Sequence, residues 1–199
     1  MNNFLRGKDI VLASNSPRRR ELMSFLCEDF RVVPSNAEEI IPDNVRRNFS
    51  DNALETAVYL AEIKACDVFE NNRNSVVFGC DTVVAVDDEI LGKPVDDDDA
   101  KRMLKLLSGR NHRVISGVCI CYGDKKISFG CETKVKFHNL TDEAISQYIA
   151  TSEHRDKAGA YGIQGYGSLL CEGIEGDFFN VVGFPVSEIN KRLDFLLEG

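Results

Sequence analysis

The sequence predicts a mixed α/β (α+β) domain, and three observations carry that reading. Short apolar runs rich in β-branched residues stand at 10–13 and 75–86, and two further strand-like runs at 113–121 and 125–137 meet at Tyr122-Gly123-Asp124, as a hairpin would. Amphipathic helical spacing interrupts them at 51–66 and 96–107. A length of 199 residues favours one domain, or one domain with two lobes around a cleft.

Each element has a local cause. Residues 10–13 form a short apolar strand, and Ser16 as N-cap with Pro17 behind it starts a helix carrying Leu22, Met23, Phe25 and Leu26. Phe30 to Val33 reads as a second strand, followed by a polar loop over 34–48. In the helix at 51–66 the apolar face comprises Leu54, Ala57, Val58, Ala61 and Ala65. The run at 75–86 is almost continuously apolar, as a buried central strand is, apart from a polar break at Gly79-Cys80-Asp81-Thr82. Four aspartates open the helix at 96–107, where they complement its dipole, and Ser108-Gly109 ends it. Thr141 opens a helix with Ile145, Tyr148 and Ile149 inward. The glycine density over 159–176 excludes a helix and leaves a loop or irregular strand. Pro185 introduces a last helix over 186–197, with Val186, Ile189, Leu193 and Leu196 inward.

Charge and composition narrow the function. With 43% hydrophobic and 28% charged residues the chain is that of an ordinary soluble globular protein. A net charge of -8 repels a polyanion, which argues against a nucleic-acid partner. A small phosphorylated ligand needs only a few local cations, so it stays open. The N-terminal segment has no apolar run resembling a secretory signal, and no stretch is long enough to span a bilayer. Seven scattered cysteines without paired spacing point to a reducing cytoplasm.

Several segments hold residues suited to chemistry. Ser14, Ser16, Arg18 and Arg19 surround a helix start, where hydroxyls, free N–H groups and guanidiniums suit a phosphate; the same residues also describe a capped helix with a solvated basic face. Asp81, with Thr82 beside it, lies inside the most apolar strand, and a carboxylate there needs a cation, a metal or a cleft. Glu38 or Glu39 could join Asp81 around a hard cation such as magnesium, and Lys64 and Lys93 could each contact a phosphate. Taken alone, these are ordinary loop glutamates and solvated lysines. Gln164, in a glycine-rich segment, could read a base edge while its glycines admit a ligand close to the main chain; otherwise the segment is a surface loop.

Other chemistries fall away. Gly92-Lys93-Pro94 lacks the remaining residues of a P-loop, and the glycine order at 162–167 is not a dinucleotide fingerprint. The three histidines are far apart and away from cysteines, which argues against zinc. Cys119 and Cys121 share a strand face and read as core. No G-x-S-x-G marks a serine nucleophile.

Together the segments resemble the Maf family of nucleoside triphosphate pyrophosphatases. The resemblance rests on Leu12-Ala13-Ser14-Asn15-Ser16-Pro17-Arg18-Arg19, on Gly79-Cys80-Asp81-Thr82-Val83-Val84 with Leu91-Gly92-Lys93-Pro94, on Leu107-Ser108-Gly109-Arg110, on the segment 156–165 and on Asn180-Val181-Val182-Gly183, in the family's order. It implies an elongated, partly antiparallel sheet flanked by helices, with two lobes around a central cleft, similar to the inosine-triphosphate pyrophosphatases. It implies hydrolysis of a nucleoside triphosphate to monophosphate and pyrophosphate with Mg2+ or Mn2+. Asp81 matches the proton acceptor, Asp81 and Glu39 the metal ligands, and Lys64 and Lys93 further phosphate-handling positions. Arg18, Thr82 and Gln164 match positions that separate substrate subgroups, and here resemble the subgroup preferring dTTP and UTP, with some modified pyrimidine nucleotides. Cys80, Ser116 and Phe184 stand where alanine, threonine and leucine are usual, changes that bear on packing and pocket shape. A homodimer would suit the fold. The rival reading is a non-catalytic nucleotide-binding regulator of septum formation.

Overall fold

The structure, a computed structural model, describes residues 2–41 and 52–194. The expected loop residues 42–48, the helix start at Asp51 and the inward Leu196 lie outside the described residues. β1 (Ile10–Leu12), β2 (Arg31–Val32), β3 (Val76–Val86), β4 (Glu89–Leu91), β5 (Asn111–Tyr122), β6 (Lys125–Phe137) and β7 (Cys171–Glu175) form one mixed sheet. Its order is β2-β1-β3-β5-β6-β7, parallel from β2 to β3 and antiparallel from β3 onward. Around it, among the described residues, pack α1 (Pro17–Met23), α2 (Ala53–Glu70), α3 (Asp97–Leu107), α4 (Asp142–Ala150), α5 (Phe178–Val182) and α6 (Val186–Leu193).

β3 is the axis, and it alternates between two buried faces. Val77, Gly79, Asp81, Val83 and Ala85 fall on one side, where Val77 joins a cluster with Ala61 and Ala65, and Val83 and Ala85 join one with Ala57 and Leu60. Phe78 and Cys80 fall on the other, in a core with Leu12, Leu22, Phe184 and Ile189; Val84 and Val86 continue that face into a second core around Leu104, Phe137 and Tyr161. Burial on both faces explains the unbroken apolar run in the sequence.

The expected polar break is no break in the strand. β5 pairs with β3 from Val77 to Ala85, so β1 and β4 share the opposite edge. There β1 covers Val76 to Phe78 and β4 covers Val84 to Val86. Between them, no strand among the described residues covers 79–83 on that edge, and this notch is where polar side chains can leave an otherwise buried strand.

α2 lies close against the sheet because glycines permit it. A Cβ on Gly79 would stand 2.7 Å from Ala65 Cβ, and one on Gly117 of β5 would collide with the backbone of Ala57 and Val58. The buried face of α2 is therefore its small residues Ala53, Ala57, Ala61 and Ala65, with Thr56, Leu60, Val68 and Phe69. Leu54 and Val58, expected inside, stay partly exposed, although Leu54 still covers Gly130. One further difference is α5, whose bulky Phe-Phe-Asn-Val-Val gives little helical signal but is capped by Asp177; the segment 159–176 holds the expected irregular strand, β7, but also short 3-10 turns.

Candidate active site

The notch opens into a cleft of about 1150 Å³, lined by all but one of the residues singled out for substrate or metal: Ser14, Ser16, Arg18, Arg19, Glu39, Lys64, Asp81, Thr82, Lys93 and Gln164 line it, and Glu38 does not. Elements distant in sequence supply them. The β1–α1 turn forms one wall, α2 and the loop after β2 a second, and the β4–α3 turn with residues 153–165 a third.

On the α2 side, Lys64 Nζ lies 2.5 Å from Asp81 Oδ1 and 2.7 Å from Glu39 Oε1. Lys64 and Asp81 are each 15% exposed, whereas Glu39 is 54% exposed. Burial works against the ammonium, but Asp81 and Glu39 outweigh it and hold the Lys64 pKa above the usual lysine value. Glu39 rather than Glu38 enters the cleft. Its loop is tied down by Asp67, one helical turn beyond Lys64, whose Oδ2 accepts from Ser35 Oγ at 2.7 Å and from the Asn36 N–H at 2.9 Å. Those two hydrogen bonds hold the Asp67 carboxyl below its usual range.

On the opposite face, Ser16 caps α1 through the Arg19 N–H, and Ser14 Oγ accepts from the Ser16 N–H at 3.2 Å. Both hydroxyls accept from protein donors, which leaves their own protons for a ligand oxygen. Arg19 turns inward, donating from Nε to the Gly183 carbonyl at 2.9 Å and from Nη2 to Thr82 Oγ1 at 3.0 Å. Ser116 spends its single proton on the Asn180 carbonyl, so Thr82 must donate to Ser116, 2.9 Å away. Arg19 thus braces the cleft floor as far as the buried Asn180, which bonds to Val114 and Thr133 in turn. Cys80 is inert packing beside this floor: its thiol is fully buried and pushed up to about 11 by that burial.

Across the cleft, Arg18 pairs with Asp156 at 3.2 Å, and Lys157 approaches the other Asp156 oxygen to 2.6 Å. Burial opposes ionisation of Asp156, but Lys157 and Arg18 together hold it below the usual carboxylate range. Lys93 and Gln164 are exposed at the mouth. Glycines 162 and 165, read above as making room for a ligand, face Lys157 and Glu153 instead.

Sequence reasoning assigned no role to Asp67, Glu153 or Lys157, and gave Ser116 only a bearing on packing and pocket shape. Asp67 had a signal, since its spacing from Lys64 puts both on one helix face. Glu153 had none, because its partners lie at 148 and 162–167 and meet it only through the chain's turn.

Donor chemistry decides whether a divalent cation fits. Among the described residues no group of three or more His, Cys, Asp or Glu converges closely enough to hold a metal. Asp81 and Glu39 do converge on one positive charge, that of Lys64. Two carboxylates, with the rest of the shell left to water and phosphate oxygens, is the donor set magnesium accepts.

The chain is 52% identical over 182 residues to the dTTP/UTP pyrophosphatase of Thermococcus gammatolerans, covering 92% of this chain and 94% of that one. It is 46% identical to the dTTP/UTP pyrophosphatase of Pyrococcus furiosus and 45% identical to that of Dictyoglomus thermophilum, covering 94% and 95% of this chain and 95% and 96% of theirs. The solved structure of the Staphylococcus aureus Ham1 protein overlaps 65% of this chain and 72% of its own, at 15% identity and a TM-score of 0.41, too little to carry an argument. Residues 9–196, which include every wall of the cleft, match the family described as Maf-like protein, and the chain belongs to that family.

Proposed function

We propose that this protein is a nucleoside triphosphate pyrophosphatase that hydrolyses dTTP and UTP to the monophosphate and pyrophosphate, in nucleotide-pool housekeeping in a reducing cytoplasm. The observation that carries it is the meeting of Lys64, Asp81 and Glu39 at the notch, with arginine and serine donors on the facing wall. Relatives at 45–52% identity that bear the name dTTP/UTP pyrophosphatase support the same reading.

In this mechanism Arg18, Lys93 and the hydroxyls of Ser14 and Ser16 hold the polyphosphate, and Arg19 keeps Ser14 and Thr82 in place. Substrate phosphate draws Arg18 from Asp156, which Lys157 retains. Asp81 and Glu39 would hold Mg2+ or Mn2+; when bound, such a cation supplies charge neutralisation at the phosphate oxygens. Lys64 fixes one oxygen of Asp81, and the second orients and deprotonates the water that attacks the α-phosphorus. Gln164 meets the base, its amide offering a donor and an acceptor side by side, as the edge of uracil or thymine requires.

Two measurements test this. Purified protein is incubated with each common nucleoside triphosphate and magnesium, following monophosphate and pyrophosphate separately from orthophosphate; dTTP and UTP are expected to lead. Asp81→Asn keeps size but removes the base, so turnover falls by about two to four orders of magnitude while nucleotide still binds. An Asp81→Asn protein that works at the parent rate refutes the assignment. Binding without any turnover by the parent protein would favour the regulatory reading.

A further inference from the structure

The loop that carries Gln164 is gripped by a carboxylate outside the machinery described so far. Glu153 Oε2 accepts from the Tyr166 N–H at 2.8 Å, and Oε1 accepts from the Gly167 N–H at 3.1 Å and from the Tyr148 hydroxyl at 3.2 Å. The Tyr148 oxygen in turn accepts from the Gly162 N–H at 3.2 Å. Both flanks of Gln164 are therefore tied to one pair of side chains, Glu153 and Tyr148. The glycines are what let the grip close: a Cβ on Gly165 would stand 2.7 Å from Glu153 Cδ, and one on Gly162 would stand 2.5 Å from Lys157 Cε. Lys157 closes the ring, donating to the Glu153 carbonyl at 2.6 Å.

We propose that Glu153 is a positioning residue for base recognition, which presets the backbone around Gln164 so that its amide meets a pyrimidine edge. The proposal rests on the nucleotide-hydrolysing function above. Its physical basis is entropy: a segment with glycines at 162, 165 and 167 samples many conformations when free, and ordering it on substrate would weaken binding. A carboxylate accepting two backbone N–H groups is a charge-assisted anchor that orders it beforehand. Among the described residues the Gln164 side chain has no protein partner, so its aim depends on the backbone beneath it.

The test measures binding, so it does not depend on turnover. In the Asp81→Asn background, dTTP and dATP affinities are compared by calorimetry with magnesium present. Glu153→Ala is expected to cut the preference for dTTP over dATP by about one to two orders of magnitude, the scale of losing the hydrogen bonds of Gln164 to the base edge. Gly165→Ala, which presses on the same carboxylate from the loop side, loses the same preference and adds little once Glu153 is gone. Glu153→Gln, which keeps one acceptor, restores part of it. An equal loss for both nucleotides, additive effects of the two substitutions, or no dTTP preference in the parent overturns the proposal. Should Glu153→Ala fail to fold, Gly165→Ala and Glu153→Gln decide the matter by the same ratio. Hydrolysis by the protein with Asp81 intact, assayed in parallel, reports separately on the proposed activity.

Discussion

Gly79→Ala is the substitution that most directly links the fold to the site, because Gly79 lies two residues before Asp81 on the same face of β3 and directly beneath α2. Its new methyl group would lie 2.7 Å from Ala65 Cβ and closer still to the Ala61 carbonyl. Carbon atoms pack at about 3.5–4.0 Å, so α2 must retreat by about 1 Å. The strand has no room to yield on its other face, where Phe78 and Cys80 are wholly buried. Overpacking of this kind costs about 1–3 kcal/mol, which for a chain of this size lowers Tm by about 2–4 °C per kcal/mol. The functional effect should exceed the stability effect. Lys64 rides on the displaced helix one residue before Ala65, so its 2.5 Å contact with Asp81 opens. Misplacement by an ångström costs about a hundredfold in rate. Urea unfolding and dTTP turnover, measured on the same preparation below its transition temperature, check both figures. A Gly79→Ala protein with parent stability and parent kcat/KM would show that the α2–β3 approach does not set the catalytic geometry.

Two further predictions address the supports of the site. Asp67→Ala releases the Ser35 and Asn36 anchors and lets Glu39 drift, so Mn2+ affinity read by electron paramagnetic resonance should fall about tenfold, the scale of one hydrogen bond to a charged group. Asp67→Asn, still an acceptor, should recover most of that affinity; unchanged Mn2+ binding by Asp67→Ala would exclude the anchoring role. His112 is buried beside the Tyr161 hydroxyl, 2.8 Å away, and burial lowers its pKa from 6.5 to about 4. Between those values the unfolded chain takes up a proton that the folded one refuses. Its contribution is therefore fully present above pH 6.5 and is lost as pH falls toward 4, by up to about 3 kcal/mol. His112→Gln, neutral throughout, should flatten that part of the urea-midpoint profile, and an unaltered slope would rule out His112 as its source.

What the sequence displayed best was whatever depends on neighbours along the chain. Ser16-Pro17 and the aspartates at 96–99 marked helix starts that the structure keeps, and Gly123 marked a hairpin. Asp81 stood out because a charge inside an apolar run is costly wherever the fold places it. The helix at 53–70 was legible as a helix and in its inward alanines 57, 61 and 65, but Leu54 and Val58 were misplaced, because the glycines that let small residues approach lie on β3 and β5. α5 escaped notice because its bulky, β-branched residues are poor helix formers, held helical by Asp177 and by packing.

By itself, then, the sequence determined the class of fold, the family resemblance and the residues able to handle a phosphorylated ligand, because composition, caps and charge in apolar context act locally. Only the tertiary structure decided how they are used. The pleat of β3 sends adjacent residues Asp81 and Thr82 to opposite faces, but only the fold brings Lys64 to meet one and Arg19 the other, where the edge between β1 and β4 is open. The fold also ties Arg19 to the Gly183 carbonyl and sets the Glu153 carboxylate against Gly165. These pairings join residues far apart in the chain, and no local preference encodes them: they exist because the folded sheet and its helices bring them within hydrogen-bonding distance.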